Sequence, residues 1–144
     1  MKKILIRTIC VFLFALTVFQ LIACKSSYSS DSLKSNLEKA GYKVDTNPII
    51  LNLETSKMEG YQSSLYGYKI VDNQELGVLI LIFDTTEHAN KVGSPEGNVA
   101  TETVSLLHDW GRKHATEDEL SVYGVANNII WTGSTQAKDA AKIK

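Results

Sequence analysis

The sequence predicts a single α+β domain: an antiparallel sheet with helices on one face, in two layers, preceded by an N-terminal helix. Three observations carry this. Apolar residues recur at helical spacing in short segments that begin with capping residues. Other apolar residues alternate, or run unbroken, over strand lengths between turn residues. The order strand, turn, strand, cap, Ala-bearing helix occurs over residues 63–92 and again over 120–143. That is a slight echo of two ββα units, which the common grammar of such units can also produce.

The first helix is expected over residues 31–40. Asp31 or Ser32 can cap it, and Leu33, Leu37 and Ala40 form one stripe. Gly41 suits the left-handed position past its end, with Tyr42 folding back on Leu37. A strand over 42–53 must be an edge or be interrupted, because Pro48 cannot donate to a ladder. Ile49, Leu51 and Leu53 suggest a second short strand piece, and 54–60 reads as a loop or a helical turn.

Tyr66, Tyr68 and Ile70 share one face of a strand over 63–71. Residues 72–75 form a polar turn. Residues 77–83 are an unbroken apolar run, suited to a central strand covered on both faces. Asp84 is placed to cap a short helix over 85–92. Residues 93–98 have loop composition, and 99–113 form a helix with Ala100, Val104, Leu107 and Gly111 on one stripe. Strands follow over 120–125 and 129–132 around Ala126-Asn127-Asn128. Ser134 caps a final helix over 135–143.

Candidate chemistry is sparse. The histidines are His88, His108 and His114. His108 and His114 lie six apart, about 120° out of line on a helix, and the i, i+4 zinc pattern is missing. No Gly-x-Ser-x-Gly elbow occurs, and the glycines at 93 and 97 lack the lysine of a phosphate loop. The sequence therefore predicts no catalytic residue, cofactor or metal. The run Glu117-Asp118-Glu119 reads as a solvated turn. The aromatics are the best binding hint, since Tyr and Trp suit surfaces where an apolar body meets water. The simpler reading packs Tyr66, Tyr68 and Trp131 beneath the helices. An exposed patch would be composed of Tyr61, Tyr66, Trp110 and His114.

The first 25 residues carry a different message. Lys2, Lys3 and Arg7 form a basic start, and residues 9–23 hold no charge. About 15 apolar residues span roughly 22 Å as a helix, short of a ~30 Å hydrocarbon core, which suits a signal h-region better than a permanent span. The run ends in Leu21-Ile22-Ala23-Cys24, then turns polar in Lys25-Ser26-Ser27-Tyr28-Ser29-Ser30.

Residues 1–25 resemble a bacterial lipoprotein precursor, with Leu21-Ile22-Ala23-Cys24 as its lipobox. The resemblance implies cleavage before Cys24 and a diacylglyceryl group on its thiol. Residues 1–23 are then a signal peptide, 24–30 the lipidated cysteine with a flexible tether, and 31–144 the domain. Two acyl chains suffice for stable membrane attachment. Cys10 is lost with the leader, so the exported domain has no free thiol and relies on its core. The Gly-Tyr-Lys-Val opening at 41–44 and the terminal strand-to-Ala-helix unit also resemble small Firmicutes lipoproteins of unknown function, which again implies an α+β domain.

Processing removes three of the 15 basic residues and leaves 12 against 16 acidic ones, a formal charge of about −4. That balance argues against a nucleic-acid partner. The expectation is an extracytoplasmic lipoprotein that holds a protein partner at the cell envelope without catalysis. A small-ligand-binding lipoprotein is the alternative, and a hydrolase is third.

Overall fold

The structure, a computed structural model, describes residues 27–49, 53–94 and 100–144. The leader with its lipobox, the middle of the strand piece expected at 49–54 and most of the 93–98 loop lie outside these residues.

Helix α1 (Ser30–Lys39) starts one residue earlier than expected, because its cap is Ser29 rather than Asp31 or Ser32. The Ser29 hydroxyl accepts the Ser32 amide at 3.3 Å. Its end follows the sequence expectation. Gly41 adopts φ 82°, the Tyr42 amide reaches the Leu37 carbonyl at 3.0 Å, and the Gly41 amide reaches that of Glu38 at 3.0 Å. These two bonds make a Schellman cap and turn the chain straight into strand β1 (Lys43–Thr46). β1 is short and lies at an edge. Asn47, at φ 58°, ends it just before Pro48. The ambiguous 54–60 segment holds one 3-10 turn, Thr55–Lys57.

Strands β2 (Tyr61–Val71) and β3 (Gln74–Phe83) form a long hairpin. Asp72 (φ 49°) and Asn73 (φ 65°) close it, both left-handed as a two-residue type I′ turn demands. The turn is tighter than expected, and Gln74 and Glu75 join β3. Helix α2 (Thr86–Gly93) is capped by Thr85, not Asp84. Helix α3 (Ala100–Lys113) precedes a second hairpin of β4 (Tyr123–Ala126) and β5 (Ile129–Gly133). Leu120, expected in a strand, is 96% exposed and outside the sheet. Helix α4 (Thr135–Ala140) has the expected Ser134 cap but ends early, where Lys142 at φ 61° turns the chain.

The sheet order is β1-β2-β3-β5-β4, with every neighbouring pair antiparallel. The single α+β domain and antiparallel sheet are as expected, but the layering is not. Along β3, Val78, Ile80 and Ile82 point into one core with α1 and α4, through Leu33, Leu37, Ala137 and Ala141. Leu79, Leu81 and Phe83 point into a second core with α2 and α3, through Ala89, Val92, Leu107 and Trp110. Helices thus cover both faces, giving three layers instead of two. The cause is the unbroken apolar run: both faces of β3 are hydrophobic, and each fully buried Val, Ile, Leu or Phe contributes about 1.5–3 kcal/mol.

This placement also corrects the expected pair of ββα units. β3 and β5 are antiparallel neighbours, so a rotation about the sheet normal superposes the two hairpins and keeps the faces. α2 nevertheless lies on one face and α4 on the other. The units have opposite hand, and their likeness is one of local grammar.

Candidate functional site

The sheet has two functionally distinct ends. At one lie the β2–β3 turn and the start of β1. At the other lie the β4–β5 turn and the start of α1. Along β3 they are about 30 Å apart.

At the β2–β3 end, Tyr66, Trp110 and His114 come together. Trp110 and His114, one helical turn apart, stack with ring centroids 3.9 Å apart at 16°. Tyr66 meets both edge-on, at 5.3 and 6.1 Å, and stacks with Tyr68 at 5.2 Å. Gly77, cross-strand from Tyr68, makes room for this: a Cβ there would come within 2.9 Å of the Tyr66 hydroxyl. The Tyr66 hydroxyl donates to Glu75 Oε1 at 2.5 Å. Burial raises its pKa, and the Glu75 carboxylate raises it further, so Tyr66 stays a donor.

His114 Nδ1 lies 2.8 Å from the Trp110 carbonyl, which can only accept, so Nδ1 carries a proton. Nε2 is left facing Glu75 Oε1 at 3.9 Å. Trp110 is buried, Tyr66 and Tyr68 are half-buried, and Ile70 is 61% exposed on the same sheet face. On this face α3 reaches β2 through Trp110 against Tyr66, while α2 and α3 lie mainly over β3, β5 and β4. Trp110, a member of the expected exposed patch, is buried instead. Trp131 packs in the core beneath α1 and α4, and Trp110 beneath α3, while Tyr66, Tyr68 and Ile70 make a partly open row.

Tyr61, the fourth residue of the expected patch, is not part of it. It sits at the other end of β2, edge-on to Phe83 at 6.2 Å, with its hydroxyl on Ser64 at 3.1 Å. The register Tyr61↔Phe83 and Tyr66↔Leu79 puts about 13 Å between them. Tyr61 lines a cleft of about 210 Å³ with Asn47, Pro48, Leu53 and Leu81. That volume is below the usual range for drug-sized ligands.

Two polar clusters were missed in the sequence. His88 bridges two carboxylates, with Nδ1 2.6 Å from Asp84 and Nε2 3.4 Å from Glu59. Lys91 also pairs with Glu59. The hydrogen bond that His88 donates to Asp84 raises the His88 pKa and lowers that of Asp84, and Lys91 lowers that of Glu59. The cluster fastens the Glu59-Gly60 turn to α2. The i, i+4 spacing of Asp84 and His88 was the available signal.

The second cluster corrects the solvated acidic run, because Glu119 is buried. Its carboxylate accepts the Thr116 amide at 2.7 Å, the Ser134 hydroxyl at 3.0 Å, the Gln136 amide at 3.2 Å and the Thr135 hydroxyl. Burial alone would raise its pKa, but these bonds outweigh burial and hold it below the ordinary glutamate value. Glu119 is a structural clasp at the start of α4.

At the opposite end, Asn128 is buried and grips the chain where the domain begins. It accepts the Tyr28 amide at 2.7 Å and donates to the carbonyls of Tyr28 and Phe83, each at 3.0 Å. The Tyr28 hydroxyl accepts the Lys144 amide at 2.9 Å. The flexible tether expected over 24–30 therefore does not reach residue 30: Tyr28 is held, Ser29 is a cap and Ser30 is helical.

Among the described residues, no group of three or more His, Cys, Asp or Glu is arranged to hold a metal, and no helix is long and apolar enough to cross a membrane. Compared with protein-family models, curated proteins and solved structures, the chain gives no match.

Proposed function

We propose that this protein is a lipid-anchored extracytoplasmic domain that docks a protein partner on the sheet face carrying Tyr66, Tyr68 and Ile70. The lipobox at Leu21-Ile22-Ala23-Cys24 supports the anchor. The observation that carries the docking role is the row Tyr66, Tyr68, Ile70. It is partly open on a sheet whose strands β3, β5 and β4 are covered on that face by α2 and α3. Tyrosines that keep a polar tip over an apolar body are favoured where partners bind. Glu75 and His114 at its rim supply polar contacts, and no described serine or cysteine is paired with either. The proposed role is one of holding rather than of reaction.

The location fits an envelope accessory protein. Tyr28 is bound at the Phe83 end of β3, and the row lies from about 13 to about 26 Å further along the sheet, so an anchor at Cys24 would hold the docking face away from the bilayer, towards the neighbours of a membrane complex.

The test is photo-crosslinking in cells, with a benzophenone amino acid at Tyr68 and, as a control, at exposed Glu38 on the opposite face. One discrete adduct from position 68, lost when Ile70→Lys is added, is the expected result. Equal adducts from both positions, or none from 68, would remove the docking role.

A further inference from the structure

We propose that the Tyr28 end of the domain is a bilayer-contacting surface, on which Lys142 and Lys144 meet the phosphates of anionic phospholipid headgroups. This rests on the lipoprotein reading and adds to it an orientation and a lipid preference.

The exit point fixes the geometry. Because Asn128 grips both backbone groups of Tyr28, only Lys25, Ser26 and Ser27 separate the domain from Cys24. Four residue steps span at most about 14 Å. A domain so tethered keeps the surface around Tyr28 at headgroup level and has little freedom to turn over.

What lies at that surface matches a layer of phosphates. Tyr28, Ala126, Asn127, Lys142 and Lys144 border a cleft of about 310 Å³. The chain reaches it through the turn that ends α4. Lys142 takes φ 61°, its amide bonds the Asp139 carbonyl at 2.9 Å, and Ile143 is driven into the core at 3% exposure. Burying Ile143 leaves the lysines on either side of it exposed together.

Among the described residues neither lysine has an ion pair, and the nearest acid in sequence, Asp139, pairs with Lys138 at 3.6 Å. Asp31, in the first turn of α1, is an exposed acid at this end, and three others are answered by cations. Asp84 and Glu59 pair with His88, Glu59 pairs also with Lys91, and Glu87 lies in the field of Lys91. Tyr28 itself has its ring against the core and its hydroxyl outward, the placement that suits a membrane interface. The exported chain is net acidic, so a locally basic end would orient it on an anionic leaflet.

The test is amine acylation of the full lipidated protein, with each lysine followed by mass spectrometry. It is reconstituted in vesicles of phosphatidylcholine, with or without phosphatidylglycerol. Lys142 and Lys144 are expected to react about tenfold more slowly in the phosphatidylglycerol vesicles, with Lys43, Lys69 and Lys113 unchanged. Equal rates in both vesicles would overturn the proposal, as would equal protection of the three distant lysines. Protection by inorganic phosphate in phosphatidylcholine vesicles to the same degree would also overturn it, by making the cleft a site for a free anion. The intact mass of the same sample keeps the two readings apart. A diacylated protein with unprotected lysines sinks only this proposal, and a protein without lipid sinks the anchor.

Discussion

The side chain of Asn128 brackets the backbone of Tyr28. Its oxygen accepts the Tyr28 amide at 2.7 Å, and its amide nitrogen donates to the Tyr28 carbonyl at 3.0 Å. One buried residue in the β4–β5 turn, 100 positions along the chain, thereby sets where the domain begins. Removing it strands polar groups in the interior. Asn128→Ala should cost about 2 kcal/mol in urea denaturation, since the Phe83 carbonyl loses a partner too. Amide exchange should accelerate at Tyr28, whose amide bonds Asn128, and at Leu33, whose amide bonds the Ser29 carbonyl in the first turn of α1. An unchanged exchange rate at Tyr28 would show that the bracket does not hold it.

Glu119 should matter more than any other acidic side chain described. Its four hydrogen-bond donors lie in two segments, 114–119 and the start of α4. Glu119→Ala leaves those donors without a carboxylate and should cost about 3 kcal/mol. Glu117→Ala, at an exposed neighbour, should leave the urea midpoint unmoved.

The two acids share one acidic run in the sequence, and their contrast shows where legibility ended. Gly41-Tyr42 spelled out a helix end, residues 72–75 a polar turn (in the fold only Asp72 and Asn73 form it) and residues 77–83 a buried strand, because each depends on local backbone chemistry. The layering was less legible. A strand apolar on both faces already required cover on both, yet the helix stripes do not say which face each helix takes. Glu119 turns inward only because Ser134 and Thr135 arrive from 15 and 16 residues away. Of the aromatic site, residue type was legible and grouping was not: Tyr61 opens strand β2 beside Phe83, while Tyr66 sits at its middle with its hydroxyl on Glu75.

Helix α3 meets β5 at Gly111. A Cβ there would lie 2.5 Å from the Val122 carbonyl oxygen and 2.9 Å from the Gly133 nitrogen, both backbone atoms that cannot step aside. Gly111→Ala should therefore push α3 off the sheet and cost about 2 kcal/mol. The Trp110 indole would move with the helix, so its fluorescence should report the shift. A variant of wild-type stability would mean that this contact is looser than described.

The His88 bridge makes stability depend on pH. The folded His88 pKa lies above 6.5, so its contribution is complete below pH 6.5 and fades as pH rises through the folded value. The folded Asp84 pKa lies below 3.8, so that contribution is complete above pH 3.8 and fades as pH falls through the folded value. The bridge should be strongest between these limits. His88→Gln should flatten the decline above pH 6.5 in a series of thermal melts. A decline that persists unchanged in the variant would place its cause elsewhere.

The proposed anchor at Cys24 would set the orientation of the domain and the reach of its aromatic row. The intact mass of the protein, purified from membranes without proteolysis, tests it most directly. A chain that begins at Cys24 and carries a diacylglyceryl group is the expected result. A chain that begins at Met1, or one whose Cys24 reacts freely with a thiol reagent, would contradict it.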